Sequence, residues 1–261
     1  MAQDWYLMEP SVLGGFENEE FKLWKGSFEN SILNSVVARD VYVYGNYPTG
    51  KPRKQIRALV LDQVENSYNT MSKRQILCNV GELCCGDYLW IDGRWWLCIT
   101  LFDNNRLYSK GILWYCNTPV YFTSLTSFET VKYPAYVHNA TQYNSGERYT
   151  DYLFTISSQR LLYLPCNEET VLIDNDYRFL IDKNRLHPSA WKVAQTDTEN
   201  DDWGGYGLVR LMLVEDELRP TDDVEHMVAD NAEWIRKYGK NSGYPTPEEV
   251  PPSDGMGWID M

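Results

Sequence analysis

Residues 45–52, Gly-Asn-Tyr-Pro-Thr-Gly-Lys-Pro, come within one side chain of a phosphate-binding loop. That chemistry needs backbone donors, a lysine and a hydroxyl for Mg²⁺, in the pattern G-x-x-x-x-G-K-[ST]. Pro52 removes the hydroxyl, and the Arg-Lys-Gln-Ile-Arg-Ala-Leu-Val-Leu that follows reads as a strand where a helix is required, so the segment reads as a Gly/Pro turn. Asp197, Glu199, Asp201 and Asp202 could offer oxygens to Ca²⁺. However, the sixth position of that loop is Asp202 where Gly is needed, and the twelfth is Leu208 rather than Glu. Asp174-Asn-Asp176 fails the same test. No two of the six cysteines have C-x-x-C spacing, and the three histidines (His138, His187, His226) are scattered, so no zinc motif emerges. There is no G-x-S-x-G elbow, and acid pairs such as Glu168-Glu169 and Glu248-Glu249 read as charged turns or tail. No catalytic, cofactor-binding or metal residue is assigned, and no enzymatic activity is expected.

Charge narrows the partners. The chain holds 24 basic and 37 acidic residues, a net charge of −13, which opposes wrapping on nucleic acid or adhering to an anionic membrane. Residues 196–261 hold 16 of the acids and 5 of the bases. The basic stretch Lys51, Arg53, Lys54, Arg57 among aromatics suits a single-strand-binding β-barrel module, but the overall charge argues against that alternative. No window has the roughly 20 apolar residues of a membrane span, and the start lacks the basic and apolar regions of a signal peptide, so a cytoplasmic start without membrane contact is expected. Five of the six cysteines fall within 39 positions on strand-like sequence, which favours reduced, partly buried thiols over a disulfide framework.

The elements that would carry these residues are mainly β. A length of 261 residues suits one large β domain or two small ones, and 10 Trp, 19 Tyr and 8 Phe fit pleated, half-buried surfaces. Phe28, Ile32 and Val36 at four-residue spacing suggest a short helix over 28–39 with Ser27 as cap. From Val41 the period changes to two. GDYLWIDGRWWLCIT at 86–100 is the clearest signal, because Asp92-Gly93 supplies both positive-φ positions of a type I′ turn between aromatic flanks. Residues 111–116 and 120–122 should extend that sheet, with Asn117-Thr-Pro119 marking its edge.

Residues 136–150 are polar and non-periodic, and strands resume at 160–164, 177–181, 190–194 and 207–214. At Asp222 the period suggests a helix, with Asp222 and Glu225 as a capping box and Val224, Met227, Val228, Ile235 and Tyr238 along one stripe up to Gly239. The expected organisation is an N-terminal arm (1–39), a β-barrel-like domain (40–135), a polar loop (136–150), a second β domain (151–221), an amphipathic helix (222–239) and a flexible, acidic, Pro-rich tail (240–261). Trp90, Trp95, Trp96 and Trp114 are expected to serve core and interface. The helix stripe with Met227, Ile235 and Tyr238, and Trp258 in the tail, are candidate docking residues.

Several segments, in order, carry a resemblance: 56–60 (Ile-Arg-Ala-Leu-Val) with Asp62; GDYLWIDGRWWLC at 86–98; Lys110 through Cys116-Asn117; NATQYNSGE at 139–147; SQRLLYLPCNEETVLIDNDYRFLIDKN at 158–184; AWKVAQTD at 190–197; and GLVRLMLVEDE at 207–217. Over about 50–235 the chain resembles tailed-bacteriophage virion proteins encoded near the portal gene, the head-closure or head–tail connector components of the neck. Clustered Cys84-Cys85 and the Pro-rich end depart from that pattern. The resemblance implies a non-enzymatic subunit of a homo-oligomeric ring below the portal, assembled in the host bacterial cytoplasm and resident in the virion neck. It would contact the portal or adaptor and tail-completion proteins, and help retain double-stranded DNA that passes without specific binding. A channel-facing role for His138, Asn139, Gln142, Tyr143 and Asn144 belongs to the same expectation. The alternatives are a tail-side phage component, a nucleic-acid-binding barrel, or a hydrolase built from dispersed carboxylates.

Overall fold

Period-two alternation becomes strands in two separate sheets, which divide the chain into units Met1–Tyr115 and Cys116–Met261. The computed structural model describes residues 15–62, 72–102, 106–139, 159–182, 188–198 and 207–238. The protein is mainly β, with one helix near the N-terminus and a small one near the C-terminus.

Unit 1 is a closed six-stranded barrel. Its strands are β1 (Ala38–Gly45), β2 (Lys54–Asp62), β3 (Lys73–Cys78), β4 (Tyr88–Ile91), β5 (Arg94–Phe102) and β6 (Ser109–Tyr115), in spatial order β1-β2-β3-β6-β5-β4. The interior is filled by one parity of each strand: Val41 and Val43, Ile56, Ala58 and Val60, Leu89 and Ile91, Trp96 and Cys98, Leu113. Gly111 leaves no room for a side chain: an added Cβ would lie 2.8 Å from Ile76 Cγ2 and 3.2 Å from Leu83 Cδ2. Asp92 and Gly93 turn β4 into β5 with φ of 51° and 75°, as a type I′ turn requires.

Helix α1 (Gly15–Asn34) is longer than its sequence reading and starts earlier; it stops at Asn34, and Ala38 is already in β1. Ser27 is therefore mid-helix and not a cap, and its backbone carbonyl accepts the Ser31 hydroxyl at 2.8 Å. The last turn contains no basic residue, and Arg57 from β2 takes that place. Its Nε donates to the Ile32 carbonyl at 3.3 Å, its Nη2 to the Ser35 carbonyl at 3.0 Å, and its Nη1 pairs with Asp40. Ile32 is buried, and the Phe28 ring packs 4.9 Å from Tyr108.

Unit 2 is a six-stranded antiparallel sheet. Its strands are β7 (Thr118–Thr123), β8 (Thr130–Asn139), β9 (Gln159–Pro165), β10 (Arg178–Leu180), β11 (Ala190–Asp197) and β12 (Leu208–Asp216), ordered β10-β11-β12-β9-β8-β7. The two edge strands curl together, with the rings of Phe122 on β7 and Phe179 on β10 6.0 Å apart. This corrects the expected boundaries: residues 118–123 do not extend the barrel, and the second unit begins at Cys116 rather than after a loop at 136–150. The reason is local. Asn117 turns its amide onto β8, donating to the Val137 carbonyl at 2.7 Å and accepting the Val137 N–H at 3.0 Å, so the break at 117–119 opens a new sheet.

Candidate interface sites

The barrel carries an aromatic strip on its outer face. Val41 and Val43 point inward, so Tyr42 and Tyr44 point outward; on β4 and β5 the same alternation turns Trp90 and Trp95 outward, while Tyr88, of the same parity as Trp90, is fully buried against Trp95. Tyr42 lies opposite Trp90, and Trp90 opposite Trp95. Trp95 is the hub: ring centroids of Tyr44, Trp90 and Tyr88 lie 4.7, 5.0 and 5.9 Å from it, all in edge-to-face geometry. Tyr42 is 40% exposed and Trp90 and Trp95 are half-buried. Trp114 shares the outward side of β6, opposite Leu97, with the Lys73 ammonium 5.5 Å from its ring centre.

Trp96 is corrected as an interface residue. At 1% exposure it is barrel core, because it has the parity opposite to Trp95, and Arg74 caps it from one side at 4.8 Å. Tyr42 and Tyr44 are the members of the strip that tryptophan counting misses, although the alternation of 41–44 with the register of the hairpin was the available signal.

The strip has a charged border. Beyond Tyr44, Gly45 has φ 80°, and a Cβ there would lie 3.9 Å from both Arg53 Cδ and Asp87 Oδ1. Arg53 and Lys51 are exposed. Asp87 is buried; its Oδ2 accepts the Cys84 N–H at 2.8 Å, while Oδ1 has no hydrogen-bond partner among the described residues. Burial pushes its carboxyl above the ordinary carboxylate range, against the pull of that N–H and of Arg53 and Lys54. The buried thiols follow the same physics. Burial raises Cys78 to about 12, and Cys98 and Cys116 well above the usual thiol value. All six cysteines are thiols, with Cys84 and Cys166 half-buried and the rest buried. Among the described residues no group of three or more His, Cys, Asp or Glu could hold a metal, and no helix is long and apolar enough to cross a membrane.

A second apolar surface lies on the outer side of α1 and the turn after it, where Leu23, Trp24, Leu33, Val36 and Val37 are 57–98% exposed.

In unit 2 the expected helix at 222–239 is corrected. Residues 217–231 form turns clamped by Arg178, and α2 (Ala232–Tyr238) is a seven-residue helix. Arg178 is 2% exposed and every guanidinium N–H is used. Nε donates to Asp216 at 2.6 Å; Nη1 to Asp222 at 2.7 Å and to the Asp230 carbonyl; Nη2 to the Glu217 carbonyl at 2.7 Å and to Asp222 at 3.1 Å. Asp222, fully buried, also accepts the N–H groups of Arg219 and Asp230. Burial pushes both carboxyls up, but the Arg178 and backbone hydrogen bonds outweigh it and hold them below the ordinary range; the same pairs hold Arg178 above its own. Asn231 completes the clasp by pairing its amide with the backbone N–H and carbonyl of Arg178.

This clasp moves the stripe residues. Met227, with φ 60°, is core, packed with Leu180, Ala190 and Ala229, and is no docking residue. Ile235 is half-buried on α2, and Tyr238 is half-buried against Trp234, 5.3 Å away, with Lys237 over its ring. His138 is corrected from a channel loop to strand β8, where it stacks on Tyr163 at 5.7 Å; Asn139 ends that strand opposite Arg160. Gln142, Tyr143, Asn144, Trp258 and the tail lie outside the described residues.

No family model, no curated protein and no solved structure matches the chain.

Proposed function

We propose that this chain is a structural subunit of a tailed-bacteriophage neck, a head-closure or head–tail connector protein that forms a ring below the portal, joins head to tail and helps retain packaged DNA. The observation that carries the reading is where the neck-like segments fall. The GDYLWIDGRWWLC hairpin closes the barrel, Asn117 opens the second sheet, and the 158–184 and 207–217 segments supply Arg178 and Asp216 of the clasp. The resemblance therefore rests on residues that organise each β unit. It does not rest on a site for turnover.

Two further features support it. Unit 1 presents two outward apolar surfaces, the aromatic strip and the α1 patch, of the kind lateral subunit contacts need. Unit 2 holds 24 acidic and 12 basic residues where unit 1 holds 13 and 12, so one half of each subunit can border a DNA path while repelling phosphate. Native mass spectrometry of the purified chain at increasing concentration tests the reading: closed rings with no measurable double-stranded DNA binding support it, and a persistent monomer with salt-dependent DNA binding contradicts it.

A second reading is a single-stranded nucleic-acid platform, favoured by the strip lying beside Arg53.

A further inference from the structure

We propose that the aromatic strip of unit 1 is the receptor for the Pro-rich, acidic segment at 244–252 of a neighbouring copy. This rests on the ring reading and names one of its contacts.

The strip has the surface an extended proline segment needs. Proline rings pack on aromatic faces, and a proline-rich chain loses little entropy when it binds because it is already extended. Edge-to-face packing of Tyr44 and Trp90 on Trp95 sets neighbouring rings at 65° to one another, so ring faces and edges alternate along the strip instead of stacking into a flat wall. Tyr42 and Tyr44 are two residues apart on one strand, a separation of about 7 Å. In an extended proline helix, which has three residues per turn, Pro245 and Pro247 would lie on adjacent ridges about 6 Å apart along the axis, so both could touch that pair of rings.

Charge selects this occupant. The sequence Tyr-Pro-Thr-Pro-Glu-Glu-Val-Pro-Pro at 244–252 places Glu248 and Glu249 directly after the first two prolines, and no basic residue follows Lys240. On the barrel, exposed Lys51 and Arg53 stand at the Tyr44 end of the strip. With Pro245 at Tyr42 and Pro247 at Tyr44, the two glutamates that follow would be brought to those cations. A single-stranded nucleic acid would meet the same rings but carry charge along the whole strip, whose far end is already charge-paired as Arg39–Asp92 and Arg57–Asp40. A contact between the tail of one copy and the barrel of the next is heterologous, the type that closes rings.

The test uses a fluorescein-labelled peptide of residues 241–257 titrated with the full-length protein, read by anisotropy. Saturable binding is expected, weakened at least 10-fold by Trp95→Ala in the protein, at least 10-fold when Pro245 and Pro247 are both alanine in the peptide, and several-fold by Arg53→Glu or by raised salt. Tyr42→Ala, at an exposed position, gives the same direction of change if Trp95→Ala does not fold. In a mixture of heavy- and light-isotope protein, carbodiimide should join Lys51 to Glu248 or Glu249 across heavy–light pairs. Binding unaffected by the strip variants, single-stranded DNA displacing nothing but itself occupying the strip more tightly than the peptide, or cross-links confined to single copies would each overturn the proposal. Rings that persist in the native mass spectrum without peptide binding sink the inference and leave the ring reading standing; a persistent monomer overturns both.

Discussion

Replacing Asp222 by alanine should unfasten the C-terminal half of unit 2. The carboxylate is fully buried, takes two hydrogen bonds from Arg178 and two from backbone N–H groups, and in its absence a guanidinium that is 2% exposed keeps two carbonyls and a single counter-ion, Asp216, itself 23% exposed. Breaking a buried pair by removing one partner costs about 3–5 kcal/mol, because the remaining charge has lost its water and its counter-ion. With a urea slope of about 2 kcal/mol/M, the midpoint of unit 2 should fall by about 1.5–2.5 M. Pulse labelling of thiols in urea reads each unit separately, since buried Cys116 reports unit 2 and buried Cys98 reports unit 1. The Cys116 transition should move and the Cys98 transition should stay. Asp222 acting as an ordinary helix cap would cost about 1 kcal/mol. A shift of that smaller size, or an equal shift in both units, would refute the clasp. Arg178→Met with Asp222→Leu should recover part of the loss, because the uncompensated buried guanidinium is then gone and the remaining Asp216 is partly exposed.

Acid should act through the same pair. Asp216 and Asp222 titrate below their unfolded values in the native protein, so the stability they contribute is complete above about pH 4 and disappears as pH falls through the lowered native values. Urea midpoints of unit 2 measured from pH 7 to pH 2 should be flat and then drop, with a shallower drop in Arg178→Met. Gly111→Ala should destabilise the barrel by about 1–3 kcal/mol through overpacking against Ile76 and Leu83, visible as a lower Cys98 transition; an unchanged midpoint would mean the wall can yield. With iodoacetamide at pH 8, the native protein should be modified first at half-buried Cys84 and Cys166 and slowly at Cys78, Cys98 and Cys116, as peptide mass mapping would show.

What could be read from the sequence was what is encoded locally. Asp92-Gly93 announces its turn because few other residue pairs tolerate two positive φ values, and the alternation of 207–214 fixes which side of β12 is buried. Residues whose roles depend on distant partners were not legible. The spacing of Val224, Met227 and Val228 suits a helix equally well as a turn, and the decision is made by Arg178, some 44 positions before Asp222. Pro119 and Asn117 signal a break, but whether a break ends a strand within one sheet or opens another depends on the amide pairing of Asn117 with Val137. For the strip, tryptophan types were visible and parity was the missing step: Trp95 and Trp96 are adjacent in sequence and lie on opposite sides of the barrel wall.

The neck assignment meets its most direct test in particles assembled without this protein and imaged by electron microscopy. The expected result is heads that package DNA, then lose it, and carry no tails, with both defects reversed when the purified protein is added back. Normal tailed particles that retain their DNA would contradict the assignment.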